Sequence, residues 1–164
     1  ELFAYLKERK DDIMALDDDA LTHLVKRSCQ IKADVVSRDE REGGLRAVLN
    51  FGHTIGHALE TATGYSRLLH GEAVAIGMVH AARLAARVGQ MPEADSRRVE
   101  DIVKLYGLPH ELPRDVEPSA LMEAMARDKK SVSGEVRLVL PERIGKVEFG
   151  VAVERGQLES VLRL

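Results

Sequence analysis

The sequence predicts a mainly α-helical domain with one small β-hairpin towards its C-terminal end. Over the first three quarters, apolar residues recur at steps of three and four, the period of an amphipathic helix. Capping residues and glycine or proline stops divide that stretch into separate helices. Only from Glu135 to Val153 does the pattern change to alternation of apolar and polar residues. No internal repeat or low-complexity tract interrupts this order, and residues 1–164 are read as one helical domain.

Leu2, Leu6, Arg9, Ile13 and Leu16 define a first helix, and Asp17-Asp18-Asp19 supplies the N-cap of a second. Leu21, Val25, Ser28, Lys32 and Val35 lie along one stripe of that second helix, so the stripe expected to face the core contains a lysine. Lys32 either extends its ammonium to the surface or faces a cleft. The pair Gly43-Gly44 then breaks the period. A third helix is expected from about Leu45 to Thr63, stopping at Gly64, and a loop leads to His70 and an alanine-rich fourth helix ending at Gly89. Pro92 opens a fifth helix that closes at Tyr106-Gly107, and Pro118-Ser119 opens a sixth that ends near Asp128-Lys129-Lys130. The hairpin turns at about Pro141 to Gly145, and a short helix near Gln157 to Leu164 ends the sequence.

Composition narrows the function. A formal net charge of -3, from 24 basic and 27 acidic residues, gives no general affinity for nucleic acid. Aromatic residues are 4% of the total and tryptophan is absent, which leaves no stacking platform for bases. No apolar run approaches the roughly 20 residues that span a bilayer. The single cysteine, Cys29, excludes an internal disulfide framework, fits a reducing cytoplasmic location, and is expected to be packed. A small-molecule site is therefore favoured. The first residue is Glu without a preceding cap, so a piece of a larger protein is expected.

The chemistry concentrates on the third helix. Arg46, Asn50, His53, His57 and Glu60 follow one another at steps of four, three, four and three, so a continuous α-helix projects all five from one face. A solvated face ordinarily uses Glu and Lys. This one offers a guanidinium, an amide and two imidazoles, groups that grip carboxylate or phosphate, ligate metal and move protons. Gly52 and Gly56 cost helix propensity of roughly 1 kcal/mol each, which points to a close backbone approach. His70 adds a third imidazole if the third and fourth helices pack antiparallel. Histidines from neighbouring helices plus a carboxylate make a zinc site with an open position, although the zinc-protease pattern HExxH is absent because Thr54 occupies its glutamate position. His23, His80 and His110 lack such company and are assigned to surface or satisfied core.

LRAVLNFGHTIGHALE and LLHGEAVAIGM, with IKADVVSRDEREGG before them and ARDKK after, resemble the C-terminal domain of the 3-dehydroquinate synthase family over nearly the whole sequence. The resemblance implies a helical domain of the type shared with iron-containing alcohol dehydrogenases. The family activity converts 3-deoxy-D-arabino-heptulosonate 7-phosphate to 3-dehydroquinate and phosphate, a step of aromatic amino-acid biosynthesis. It further implies a divalent cation, Zn2+ or Co2+, held by His53 and His70, with His57 and Glu42 as proton-transfer groups. Lys32, Arg46, Asn50 and Lys129 match substrate-binding positions, with Lys130 the less favoured neighbour of Lys129.

In that family a third metal ligand is a glutamate in an AEVIK-like motif, which does not occur here, and NAD is bound mainly by an N-terminal domain. The resemblance therefore implies an incomplete ligand set, no cofactor-binding residue in this stretch, homodimerisation of the whole protein, and no activity of the stretch alone. Other readings are a sugar-phosphate cyclase of the valiolone or inosose type, a metal-dependent alcohol or glycerol dehydrogenase, and a non-catalytic helical interaction module.

Overall fold

The computed structural model describes residues 1–39, 44–127 and 136–163. Glu42, Lys129 and Lys130 lie outside these described residues. The helices are α1 (Leu2–Glu8), α2 (Lys10–Met14), α3 (Asp18–Arg38), α4 (His53–Ala62), α5 (His70–Arg87), α6 (Glu93–Leu105) and α7 (Pro118–Arg127). Strands β1 (Val136–Arg143) and β2 (Lys146–Val153) form the antiparallel hairpin, and α8 (Arg155–Leu162) follows. The expected class and element order hold. Ile144-Gly145 makes the hairpin turn, so Pro141 belongs to β1 rather than to the turn.

Helix α5 is the centre of the core. Ala73, Ile76, Ala81, Leu84 and Ala85 are buried on it and pack with Ile55 and Leu59 of α4, Leu121 of α7, Leu138 and Leu140 of β1, and Leu158 of α8. Small alanines let neighbouring helices approach on several sides, while the leucines and isoleucines supply apolar area worth about 1.5–3 kcal/mol per buried side chain. No helix among the described residues is long and apolar enough to cross a membrane.

Three sequence expectations need correction. The first helix divides at Arg9 into α1 and α2. The Leu6 carbonyl, which an unbroken helix would offer to the Lys10 N–H, instead accepts the Tyr106 hydroxyl at 2.8 Å. The second helix starts as expected, with the Asp17 side chain accepting the Ala20 N–H at 2.9 Å, but its apolar stripe does not face the core. Ala20 is its one buried residue, and Val25 and Ile31 are exposed. Periodicity identifies the apolar side of a helix, not what covers it. Cys29, on the same helix, is likewise exposed rather than packed.

The third correction concerns the helix expected from Leu45 to Thr63. Leu45–Asn50 is a 3-10 helix, and α4 begins only at His53, after Gly52 has turned to φ +82°. Tertiary contact explains the break. The Gly52 carbonyl lies directly against the Cα of Gly77 on α5, where any Cβ would collide with it. A Cβ on Gly52 itself would lie 2.6 Å from the Met78 Cγ, and one on Gly56 would lie 3.1 Å from the Ala73 carbonyl oxygen. Glycines at 52, 56 and 77 thus permit α4 and α5 to cross at backbone contact. At the other end of α4, the Gly64 N–H donates to the Thr61 carbonyl and the Tyr65 N–H to the Glu60 carbonyl, which closes the helix with Gly64 at φ +66°.

His80 sits fully buried on α5. Its Nδ1 is 2.9 Å from the Ile76 carbonyl, whereas Nε2 has no partner among the described residues, so this core histidine is only half satisfied. Burial pushes its pKa below the ordinary value; the Ile76 carbonyl opposes that shift and Arg83 adds to it.

Two stability measurements follow from these contacts. Gly77→Ala should destabilise by about 1–3 kcal/mol or more through overpacking against the Gly52 carbonyl. Gly71→Ala, where a Cβ meets nothing within 4 Å, should be neutral or slightly stabilising. Urea titration of both variants would test this, and equal midpoints would remove the close-crossing argument. For His80, the unfolded side chain gains a proton below about pH 6.5 while the buried one resists it, so stability should decline as pH falls through that value towards the lowered native pKa. His80→Leu should flatten the decline in urea midpoint between about pH 7.5 and 5; an unchanged slope would show that His80 does not contribute.

Candidate metal and substrate site

The α4–α5 crossing brings three histidines together. His53 opens α4, His57 lies one turn along it, and His70 opens α5, which runs antiparallel. Their ring centroids form a nearly equilateral triangle, 5.5 Å for His53–His57, 5.4 Å for His53–His70 and 5.7 Å for His57–His70. His57 and His70 are exposed and His53 is half-buried.

The rings differ in how they are held. His53 Nδ1 stands 3.3 Å from the Phe51 carbonyl, and His70 Nδ1 stands 3.1 Å from Oε1 of Glu60. Among the described residues neither nitrogen of His57 has a hydrogen-bond partner. Burial lowers the His53 pKa most; the Phe51 carbonyl acts against it, and the neighbouring His57 and His70 lower it further. The result is a neutral ring near pH 7, the form that ligates metal. Potential ligand atoms of His57, Glu60 and His70 also lie within 4.8 Å of one another, so the neighbourhood is rich in donors.

On the other side of His53 lies a cleft of about 560 Å³ lined by Lys32, Gly44, Arg46, Asn50 and His53, among others. Lys32 therefore faces a cleft. Arg46 and Asn50 arrive there by a different route from the one expected, because residues four apart on a 3-10 helix do not share a face. Their convergence depends on Asp39, a buried residue at the end of α3 whose Oδ2 accepts the N–H groups of Gly44 at 3.0 Å and Arg46 at 2.8 Å. Sequence reasoning did not single out Asp39. Its available signal was a short acidic residue at a helix end, five residues before a glycine. Glu60 was placed on the polar face but given no task; its burial and its bond to His70 distinguish it from a solvated glutamate.

The arrangement offers imidazole nitrogen donors for a borderline cation beside two cations and an amide suited to an anionic, hydroxylated ligand. Comparisons with known proteins identify the family. A family profile described as 3-dehydroquinate synthase C-terminal matches residues 1–131. The 3-dehydroquinate synthase of Thermodesulfovibrio yellowstonii is 46% identical over 99% of this chain and 45% of its own length. That of Caldanaerobacter subterraneus is 47% identical, again over 99% of this chain and 45% of the relative. The chain thus spans about half the length of these relatives. Among solved structures, a 2-epi-5-epi-valiolone synthase from Streptomyces hygroscopicus with NAD+ and Zn2+ bound superposes with a TM-score of 0.85 at 29% identity, covering 99% of this chain and 45% of that one. The profile match over residues 1–131 shows that this chain belongs to the 3-dehydroquinate synthase C-terminal family.

Proposed function

We propose that the protein to which this chain belongs is a 3-dehydroquinate synthase, and that this stretch supplies the metal-binding histidines and much of the substrate-binding surface. The carrying observation is the triangle of imidazoles next to a cleft with Lys32, Arg46 and Asn50. The relatives at 46% and 47% identity favour a heptulosonate phosphate over the substrate of the 29% identical valiolone synthase. NAD and the third metal ligand belong, in this reading, to the part of the protein outside this chain, so the chain alone is inactive.

His53 and His70 fit a divalent cation such as zinc because each has an acceptor at Nδ1, which leaves Nε2 as the free donor. When bound, the metal supplies Lewis-acid polarisation of a substrate hydroxyl and NAD supplies a reversible hydride acceptor. His57 has no such acceptor among the described residues and is exposed, which suits a ring that exchanges protons with substrate. Arg46 offers a two-point grip on a carboxylate, Asn50 orients hydroxyl groups, and Lys32 balances substrate charge. Glu42 as a second proton-transfer group and Lys129 near phosphate complete the proposed set.

In the full-length protein, His53→Ala should abolish both stoichiometric metal and turnover of heptulosonate phosphate. His57→Ala should retain metal while losing about 10²–10⁴-fold in kcat. Metal analysis of the purified variants alongside phosphate release checks the division of roles, and equal metal loss in both would overturn it.

A further inference from the structure

We propose that Glu60 is a positioning residue of the metal site: its buried carboxylate accepts the Nδ1–H of His70 and thereby presents the Nε2 lone pair of that ring to the metal. The inference deepens the metal reading above and rests on it. Glu60 is 8% exposed, on a helix flanked by the buried Ala58 and Leu59. A carboxylate taken out of water requires a compensating partner, and Glu60 has an imidazole nitrogen at 3.1 Å. An ionised carboxylate only accepts, so the proton in this bond belongs to His70. A neutral imidazole protonated at Nδ1 has its lone pair at Nε2 alone.

The same logic governs His53, whose Nδ1 faces the Phe51 carbonyl at 3.3 Å. The two rings assigned as ligands are thus the two held at Nδ1 by an acceptor. Glu60 is also close enough to the imidazoles to be considered a ligand itself. Relative depth argues against that. The Glu60 side chain is 10% exposed and the His70 side chain 57%, so the imidazole stands above the carboxylate and is the group that an entering ion meets. Glu60 Oε1 is already committed to the ring beneath which it lies.

The test uses the full-length protein with Glu60→Leu, which fills the buried space without an acceptor, and Glu60→Gln, whose amide oxygen still accepts. In metal-stripped protein, histidine-selective nitrogen NMR well above the ordinary histidine range of about pH 6.5 should show His70 protonated at Nδ1. Glu60→Gln should keep that tautomer, and Glu60→Leu should shift it towards Nε2–H. Chelator competition should then find zinc bound about 10–100-fold more weakly by Glu60→Leu, with a much smaller loss in Glu60→Gln. The visible bands of cobalt-substituted protein should keep their positions in both variants.

A wild-type His70 protonated at Nε2 would overturn the proposal, as would unchanged zinc affinity in Glu60→Leu. Cobalt bands that move in Glu60→Gln as far as they do in His70→Ala would make Glu60 a ligand instead. If the wild type binds neither zinc nor cobalt, the metal reading fails, and the tautomer measurement identifies that failure separately because it needs no ion.

Discussion

The contact between the Gly52 carbonyl and Gly77 fixes the distance and rotation between α4 and α5. Helices separated by ordinary side chains lie about 8–10 Å apart, whereas backbone contact requires small residues on the touching stripe. On α5, His70, Ala73, Val74 and Gly77 fall along that stripe at three- and four-residue steps. On α4, Gly56 is inserted against Ala73 and Val74, and His53, His57 and Glu60 border the same contact. The imidazole triangle is therefore the polar edge of a tightly packed apolar crossing. Its dimensions are inherited from the glycines.

This placement combines two different solvent environments within one helix turn. Ile55 and Leu59 are fully buried on one side of α4, while His57 is exposed on the other. Glu60 stands at the border, buried with a ring nitrogen as its partner. The deep core limits motion of the backbone under the rings, and the acceptors at Nδ1 limit rotation of two of them. Such double restraint gives metal sites their geometry, because a ligand free to rotate loses rotamer entropy each time an ion binds. His57, lacking it among the described residues, is the ring of the three that is freest to change its contacts.

Much of this fold could be read from the sequence because the signals were local. Asp17 caps α3, Gly64 closes α4, Pro92 precedes α6, and alternation marks the hairpin. The misreadings came from interactions remote in sequence. A run from Leu45 to Thr63 has helical periodicity throughout, yet Gly77, some 25 positions beyond Gly52, imposes the break between its two halves. The apolar stripe of α3 has a period but no cover among the described residues, so Val25 and Ile31 meet solvent. At the site itself, residue types announced the chemistry and spacing placed His53 and His57 together. Which nitrogen each ring offers depends on the Phe51 carbonyl and on Glu60, and periodicity contains no information about either bond.

The break in the expected helix also has a constructive consequence. Had residues 45–63 formed one straight helix, Arg46 would stand about three turns from His57, displaced along the axis by about 16 Å. The 3-10 segment and the turn at Gly52 replace that straight course, and Asp39 anchors the beginning of the segment by accepting two backbone N–H groups. Lys32, on the last turns of α3, then shares a cleft with Arg46, Asn50 and His53. An acid buried at the end of α3 thus fixes the backbone of Gly44 and Arg46, two of the residues that line the cleft. His53 belongs to both halves of the arrangement, as a lining residue of the cleft that holds Lys32, Arg46 and Asn50 and as a vertex of the imidazole triangle, so the cleft and the triangle are contiguous.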